Sequence, residues 1–310
     1  MTTDTSEKGL ERIICVALTG LPCDPGAPRP DLGRETPAPY GGSGWIGGAP
    51  GDYEREYCVD LIQLRTFLQA TQPEAAEALA LVHDGPTRRK FLARLQGEIS
   101  KRGLIDVLRR GVKDGPHHVD LFYGTPSPGN AAAGERYAQN RFSATRQLRY
   151  SRVETERALD LCLFINGLPS ATFELKNSLT KQTVEDAVEQ YKRNRDPREK
   201  LFEFGRCVVH FAVDDHEVRF CTHLKGKSSW FLPFNQGWNH GAGNPPNPDG
   251  LKTDYLWKRL LTRKGLTDIL ENYAQVVETR DEKTVGLPAL AVLDLGRTGS
   301  LASGSQVMLF

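Results

Sequence analysis

The chain has 310 residues, enough for one large domain or two small ones, and 39% of them are hydrophobic, which rules out disorder along its whole length. Forty basic against 39 acidic residues leave a net charge of +1, so bulk charge carries no information about a polyanionic partner. No apolar run reaches the length of a membrane-spanning helix. The start, MTTDTSEKGLER, has no basic-then-apolar export signal, which points to a cytoplasmic protein. The six cysteines (15, 23, 58, 162, 207, 221) show no C-x-x-C spacing and read as free thiols.

In chain order, residues 6–18 predict a short amphipathic helix with Leu10, Ile14 and Val16 as its apolar points. A stretch dense in proline and glycine follows to Asp52. It reads as a long loop in which Trp45 and Ile46 pack on something. Helical spacing resumes with Tyr57, Leu61, Leu64 and Leu68, and again over about 74–82, 87–101 and 104–112. The segment 86–113 carries nine basic and two acidic residues, and 136–152 carries five arginines and no acid. Both are ordinary solvated faces or phosphate-facing surfaces, the latter led by Arg88, Arg89, Lys90, Arg141 and Arg146. From His118 the pattern is strand-like: HVDLFYG, RFSATRQLRYS, ALDLCLFI and SATFELK. TVEDAVEQYKRN then predicts a helix, with Val184, Ala187, Val188 and Tyr191 on one face. RCVVHFAV and EVRFCTHL form a strand pair turning at 214–216, and 251–262 and 265–278 read as helical. Residues 279–310 lack a period and read as a divergent tail. The expected organisation is a helix and Pro/Gly-rich segment (1–52), one main domain (53–278) and this tail.

The chemistry concentrates between Ala158 and Lys176. In the first strand Leu159, Leu161, Leu163 and Ile165 point one way, and Asp160, Cys162 and Phe164 the other. In the second, Ala171, Phe173 and Leu175 oppose Thr172, Glu174 and Lys176. For the apolar faces to coincide, Leu161 must pair with Phe173 and Asp160 with Glu174. A bare two-residue Asn166-Gly167 turn would put the apolar sets on opposite faces, so a longer loop or a bulge is expected. Two facing carboxylates form a hard-oxygen site for Mg²⁺, and an amine two residues from the Glu acts on water or on charge developing at phosphorus. A plain cross-strand salt bridge is the competing reading.

These residues carry a resemblance. Asp160, then Glu174-Leu-Lys176, on strand–turn–strand followed by a helix, resembles the PD-(D/E)xK nuclease core. FELKNSLTKQTVEDAVEQYKRNRDP, with RFSATRQLRYS before it and KGKSSWFLPFNQGW after it, resembles the N-terminal part of the restriction (R) subunit of type I restriction–modification endonucleases. The resemblance spans about Ser6 to Glu278. It implies an α/β fold with a restriction-endonuclease-like mixed, largely antiparallel sheet flanked by helices. It implies Mg²⁺-dependent hydrolysis of DNA, with Asp160 and Glu174 as metal ligands and Lys176 as catalytic lysine. It also implies methyltransferase and specificity subunits as partners. The family often adds a Gln and a Tyr four residues apart on the next helix; Gln190 matches, but Asn194 stands where the Tyr would be. A non-catalytic module docking on DNA or on the methyltransferase/specificity complex is the alternative, since no motor is read in this chain. At Gly226-Lys227-Ser228, Cys221 replaces the first glycine of a phosphate loop, so no ATP site is expected. The unlike tail suggests a truncated product or a separate nuclease module. Asn244-Pro245-Pro246 is followed by Asn247 rather than the aromatic of a methyltransferase motif. Lys225 and Lys227 beside Trp230 and Phe231 read as a turn with core aromatics more than as a DNA edge.

Overall fold

A computed structural model describes residues 7–24, 42–278 and 283–286. The sequence expectations for 25–41 and for most of the tail lie outside the described residues. In chain order the elements are α1 (Glu7–Thr19), β1 (Ile46–Gly47), β2 (Tyr53–Glu54), β3 (Val59–Asp60), α2 (Leu61–Thr71), α3 (Pro73–Ala78), α4 (Pro86–Arg102), α5 (Leu104–Arg110), β4 (Val112–Asp114), β5 (His117–Val119) and α6 (Ala131–Ala138). There follow β6 (Phe142–Arg149), β7 (Ala158–Ile165), β8 (Leu168–Leu175), α7 (Val184–Asn194), β9 (Val209–Val213), β10 (Val218–Cys221), β11 (Leu232–Pro233), α8 (Arg263–Asp268), β12 (Gln275–Glu278) and β13 (Lys283–Gly286). A seven-stranded sheet runs β1-β6-β7-β8-β9-β10-β11, with β1–β6 and β8–β9 parallel and the other pairs antiparallel. The fold is therefore the mixed α/β sheet flanked by helices that the sequence implied.

The central hairpin reconciles two demands. Asn166 (φ +50) and Gly167 (φ +82) make a two-residue turn, pairing Ile165 with Leu168 and Phe164 with Pro169. The register then slips by one residue, and Leu163 pairs with Ala171 and Leu161 with Phe173. Ser170 is the extra residue of this bulge, and its hydroxyl donates to the Leu163 carbonyl at 3.0 Å. Pro169 is tolerated there because the ladder of β8 with β9 begins only at Ala171, so no amide is needed from position 169 on that side. The expected bulge is present, and it restores the apolar registry that the short turn alone would invert.

The sheet is covered on both faces. Leu161, Leu163, Ile165, Ala171, Phe173, Leu175 and Phe211 join α1, α2, α4 and α5 in one core. Cys162, Phe164 and Ala212 join Val184, Ala187, Val188 and Tyr191 of α7 in the other. One residue departs from the expected alternation: Leu159 packs in the α7 core, not with Leu161. The partner strand β6 is kinked at Gln147 (φ +50), between its pairings of Arg146 with Leu161 and Leu148 with Leu159, so the sheet surface turns over there.

Other elements differ in extent. In α1, Leu10, Ile14 and Leu18 are buried, whereas Val16 is 45% exposed. Tyr57 precedes helix α2 instead of starting it. HVDLFYG contributes only the short β5, paired with β4. α6 escapes the apolar periodicity because none of its residues is buried. The 251–278 region breaks into a π-type turn (Leu256–Leu260), α8, a second π-type turn (Ile269–Tyr273) and β12. Trp45 is buried edge-on against Phe142, 5.4 Å between centroids, and Ile46 lies in β1, as expected. All six cysteines are free.

Candidate active site

α7 is fixed over one end of the sheet by local sequence. Thr183 and Asp186 form a capping box, with the Thr183 amide donating to Asp186 Oδ2 at 2.7 Å. Glu185 and Asp186 occupy the first turn and Lys192 and Arg193 the last, matching the helix dipole. The β9–β10 turn holds the helix start: Asp214 accepts the Val184 amide at 2.8 Å, and Asp215 accepts the Ser178 amide and hydroxyl. Beneath the helix, Tyr191 and Thr172 share a 2.8 Å hydrogen bond, and Thr172 meets His210 Nδ1 at 2.7 Å. Burial pushes His210 down to about 3, so it is neutral here.

The β7–β8 pairing ends at Leu161 with Phe173, and Asp160 and Glu174 are the next residues at that end of the two strands. Glu174 is wholly buried at the end of β8. Its Oε1 accepts from Arg195 Nε at 2.5 Å, and its Oε2 is buried without a hydrogen-bond partner among the described residues. Burial and the like charge of Asp160 push the Glu174 carboxyl up to about 8, against the pull of Arg195. Asp160 is half-buried, and its Oδ2 accepts the Leu175 amide across the strand pair at 2.7 Å. Lys176 is nearly buried, and its amide donates to the Val213 carbonyl at 2.8 Å. Lys176 and Gln190 line one shallow open depression of about 250 Å³, together with Gln182, Asp186, Glu189, Arg193 and Asn194. Gln190 and Asn194 thus lie on the same wall.

Arg195 is the residue that sequence reasoning missed. It follows the last turn of α7, and its guanidinium donates to Glu174, to the Tyr150 hydroxyl (3.3 Å) and to the Ala158 carbonyl (2.8 Å). Its carbon also stands 5.5 Å from the Tyr150 ring centroid. Glu174 holds this guanidinium charged, raising its pKa despite burial. A basic residue at a helix C-terminus is too common to signal such a role.

The basic candidates are not brought to this site. Arg146 was expected to face phosphate; instead it is 4% exposed and neutralised by Glu11 (2.9 Å) and Asp24 (2.7 Å). These partners arrive from α1 and the segment after it, which no local pattern reveals. Arg88 and Arg89 at the start of α4 both pair with Asp84, at 2.8 and 2.5 Å. Lys90 is exposed beside them. Arg141 is half-buried, with Nε donating to Gln63 Oε1 at 2.7 Å. α4 packs in the core opposite α7, and none of its residues lines the Lys176 depression. Asn244 is also committed structurally, bonded to Gln236, His216 and Asn235.

Whether this arrangement fits a divalent cation turns on the carboxylates. Among the described residues no group of three or more His, Cys, Asp or Glu is placed to hold a metal. Two carboxylates suffice for Mg²⁺, which keeps most of its waters. The unpartnered Glu174 Oε2, beside a second carboxylate, is the kind of buried acceptor that a cation satisfies.

A mixed sheet with facing acids and a lysine at one strand end defines an α/β protein with a candidate polar reaction centre. Residues 83–229 match the family model for the type I restriction enzyme R protein N terminus. No curated protein matches the chain. No helix among the described residues is long and apolar enough to cross a membrane.

Proposed function

We propose that this chain is the DNA-cleaving module of a type I restriction enzyme, hydrolysing phosphodiester bonds with Mg²⁺ held by Asp160 and Glu174. The observation that carries the reading is the buried, unpartnered Glu174 Oε2 beside Asp160, next to a lysine that opens on a surface depression. The family match over 83–229 supports it, and on this reading DNA and the methyltransferase and specificity subunits are the partners.

Each residue has a distinct task. Asp160 and Glu174 supply hard oxygen ligands, and Asp160 is oriented by the Leu175 amide. When bound, the cation would acidify a water and offset charge at phosphorus. Lys176 reaches the depression from the same strand end and stabilises negative charge on the phosphoryl oxygens or holds the attacking water. Gln190 lines the same wall and orients that water or a phosphate oxygen. Arg195 keeps Glu174 from being an uncompensated buried charge.

The docking-module reading rests on one observation, that Glu174 already has a cationic partner in Arg195. Calorimetric Mg²⁺ titration with DNA present, beside nicking assays at high Mg²⁺ or Mn²⁺, separates the two. Lys176→Ala is expected to keep metal binding and lose about 10²–10³ in rate, whereas Asp160→Ala loses both. A wild-type chain that binds no divalent ion, or a Lys176→Ala chain that nicks at the wild-type rate, leaves only the docking module.

A further inference from the structure

The loop from Leu224 to Phe231 closes the sheet beside the end of α7 and carries Trp230, which is 76% exposed. The sequence suggested a turn with core aromatics, and Phe231 fits that, buried with its ring 5.4 Å from Tyr191. Trp230 does not. A lone exposed tryptophan on a loose loop needs no explanation. This loop is fastened at every point: Leu224 and Phe231 are buried at its two ends. The buried Ser229 hydroxyl accepts the Lys225 amide at 2.8 Å and donates to the Gly226 carbonyl at 2.7 Å, and the Ser229 amide donates to that carbonyl at 3.0 Å. Gly226 holds the left-handed conformation the turn requires (φ +59) and lies against α7, where an added Cβ would stand 3.8 Å from the Lys192 carbonyl. A rigid turn thus displays a large aromatic face to solvent.

Its surroundings are cationic. Lys225 and Lys227 are exposed on the same turn, and KGKSSW holds no acid. Lys192, half-buried, and Arg193, which lines the depression with Lys176 and Gln190, come from the last turn of α7 and face Glu189 as their counter-charge. An exposed indole on the same turn as two exposed ammonium groups matches the repeating unit of a nucleic acid strand, a flat base and a phosphate. Bases inside a duplex offer only their edges, so an indole stacks only on a base that is out of the helix.

We infer that the Lys225–Trp230 turn binds single-stranded DNA, stacking a base on Trp230 with the lysines on the flanking phosphates, and feeds that strand to the depression beside α7. The inference rests on the nuclease reading for its destination and adds the form of DNA that enters. The glycine-lysine-serine of this loop thereby has a use that is not nucleotide binding.

The test is binding of the full chain, in EDTA so that nothing is cut, to a fluorescein-labelled oligo(dT) and to a duplex of equal length. Single-strand affinity is expected to exceed duplex affinity. Trp230→Ala should weaken it about 5- to 150-fold, the range of one stacked base, while Trp230→Phe retains most of it and controls for folding. Lys225→Ala with Lys227→Ala should reduce the slope of log affinity against log salt by about 1.4. Trp230→Ala binding as tightly as wild type, or an absence of binding to any oligonucleotide, overturns the inference and marks the turn as a protein-docking surface. Because no metal is used, a failed Mg²⁺ titration removes the nuclease reading and leaves this result standing or falling alone.

Discussion

Glu174 and Arg195 show how much of a site one contact can decide. The pair is almost wholly withdrawn from water, so removing the cation leaves a carboxylate that is either charged and unpaired or forced to protonate. Arg195→Met is expected to destabilise the chain by about 3–5 kcal/mol where Glu174 is ionised, and by less at pH 6, where the carboxyl holds its proton. Urea denaturation at pH 6 and pH 9 checks the difference; equal losses would mean that the arginine acts only through packing. Strand parity and spacing are local properties, so the placement of Asp160, Glu174 and Lys176 at one strand end could be read from sequence, whereas Gln190 came only from the family resemblance. Arg146 was misread for the opposite reason. Its partners Glu11 and Asp24 lie 135 and 122 residues away in sequence, and a paired arginine is written with the same letter as an exposed one.

At the scale of elements, the β7–β8 hairpin does two things at once: it turns in two residues, and it corrects the register with a bulge. Gly167 makes the first possible. Its φ is +82, and an added Cβ would stand 2.4 Å from the Asp60 carbonyl and 2.7 Å from the Leu64 amide nitrogen, where α2 begins. Gly167→Ala therefore combines backbone strain with a collision against a helix start, and should cost at least about 2 kcal/mol in thermal or urea unfolding. A loss under half of that would show that α2 yields easily. The sequence argument reached the need for a bulge because face and parity are linked by a period of two. It assigned Leu159 to the wrong core because the left-handed kink at Gln147 sits in the neighbouring strand, and nothing in ALDLCLFI announces a twist imposed from across the ladder. Helices with a buried stripe, α4 and α7, were read nearly to their ends, while α6, with no buried residue, gave no period to read.

For the molecule as a whole, two buried carboxyls set a dependence on pH. Burial, opposed by Arg146, raises Glu11 to about 7, and Glu174 stands at about 8, both above the ordinary value of 4.5. The folded state therefore holds more protons than the unfolded one between 4.5 and these values. Stability is fully present below about pH 4.5 for these two groups and declines as pH rises through 7 and 8. Melting curves from pH 5 to pH 9 should show that decline, and Glu174→Gln should flatten its upper part. On the metal reading, Mg²⁺ raises the melting temperature more at pH 9 than at pH 6, since the cation and the proton compete for one oxygen. An equal effect at both would place the ion elsewhere.

The two faces of the sheet carry a kinetic consequence. Arg146 and Arg195 are neutralised inside the protein, and the basic helix α4 belongs to the opposite layer. Apart from the basic Lys225–Trp230 turn, such a centre exerts little long-range pull on a polyanion, so on the nuclease reading diffusional capture by the acids' own surroundings would contribute little to turnover. On that reading its working rate would be governed by how long a strand is held in its neighbourhood, an effective concentration set by whatever tethers the DNA. On the nuclease reading, cleavage would then be controlled by delivery: idle when DNA merely drifts past, and active when a strand is kept waiting at its door.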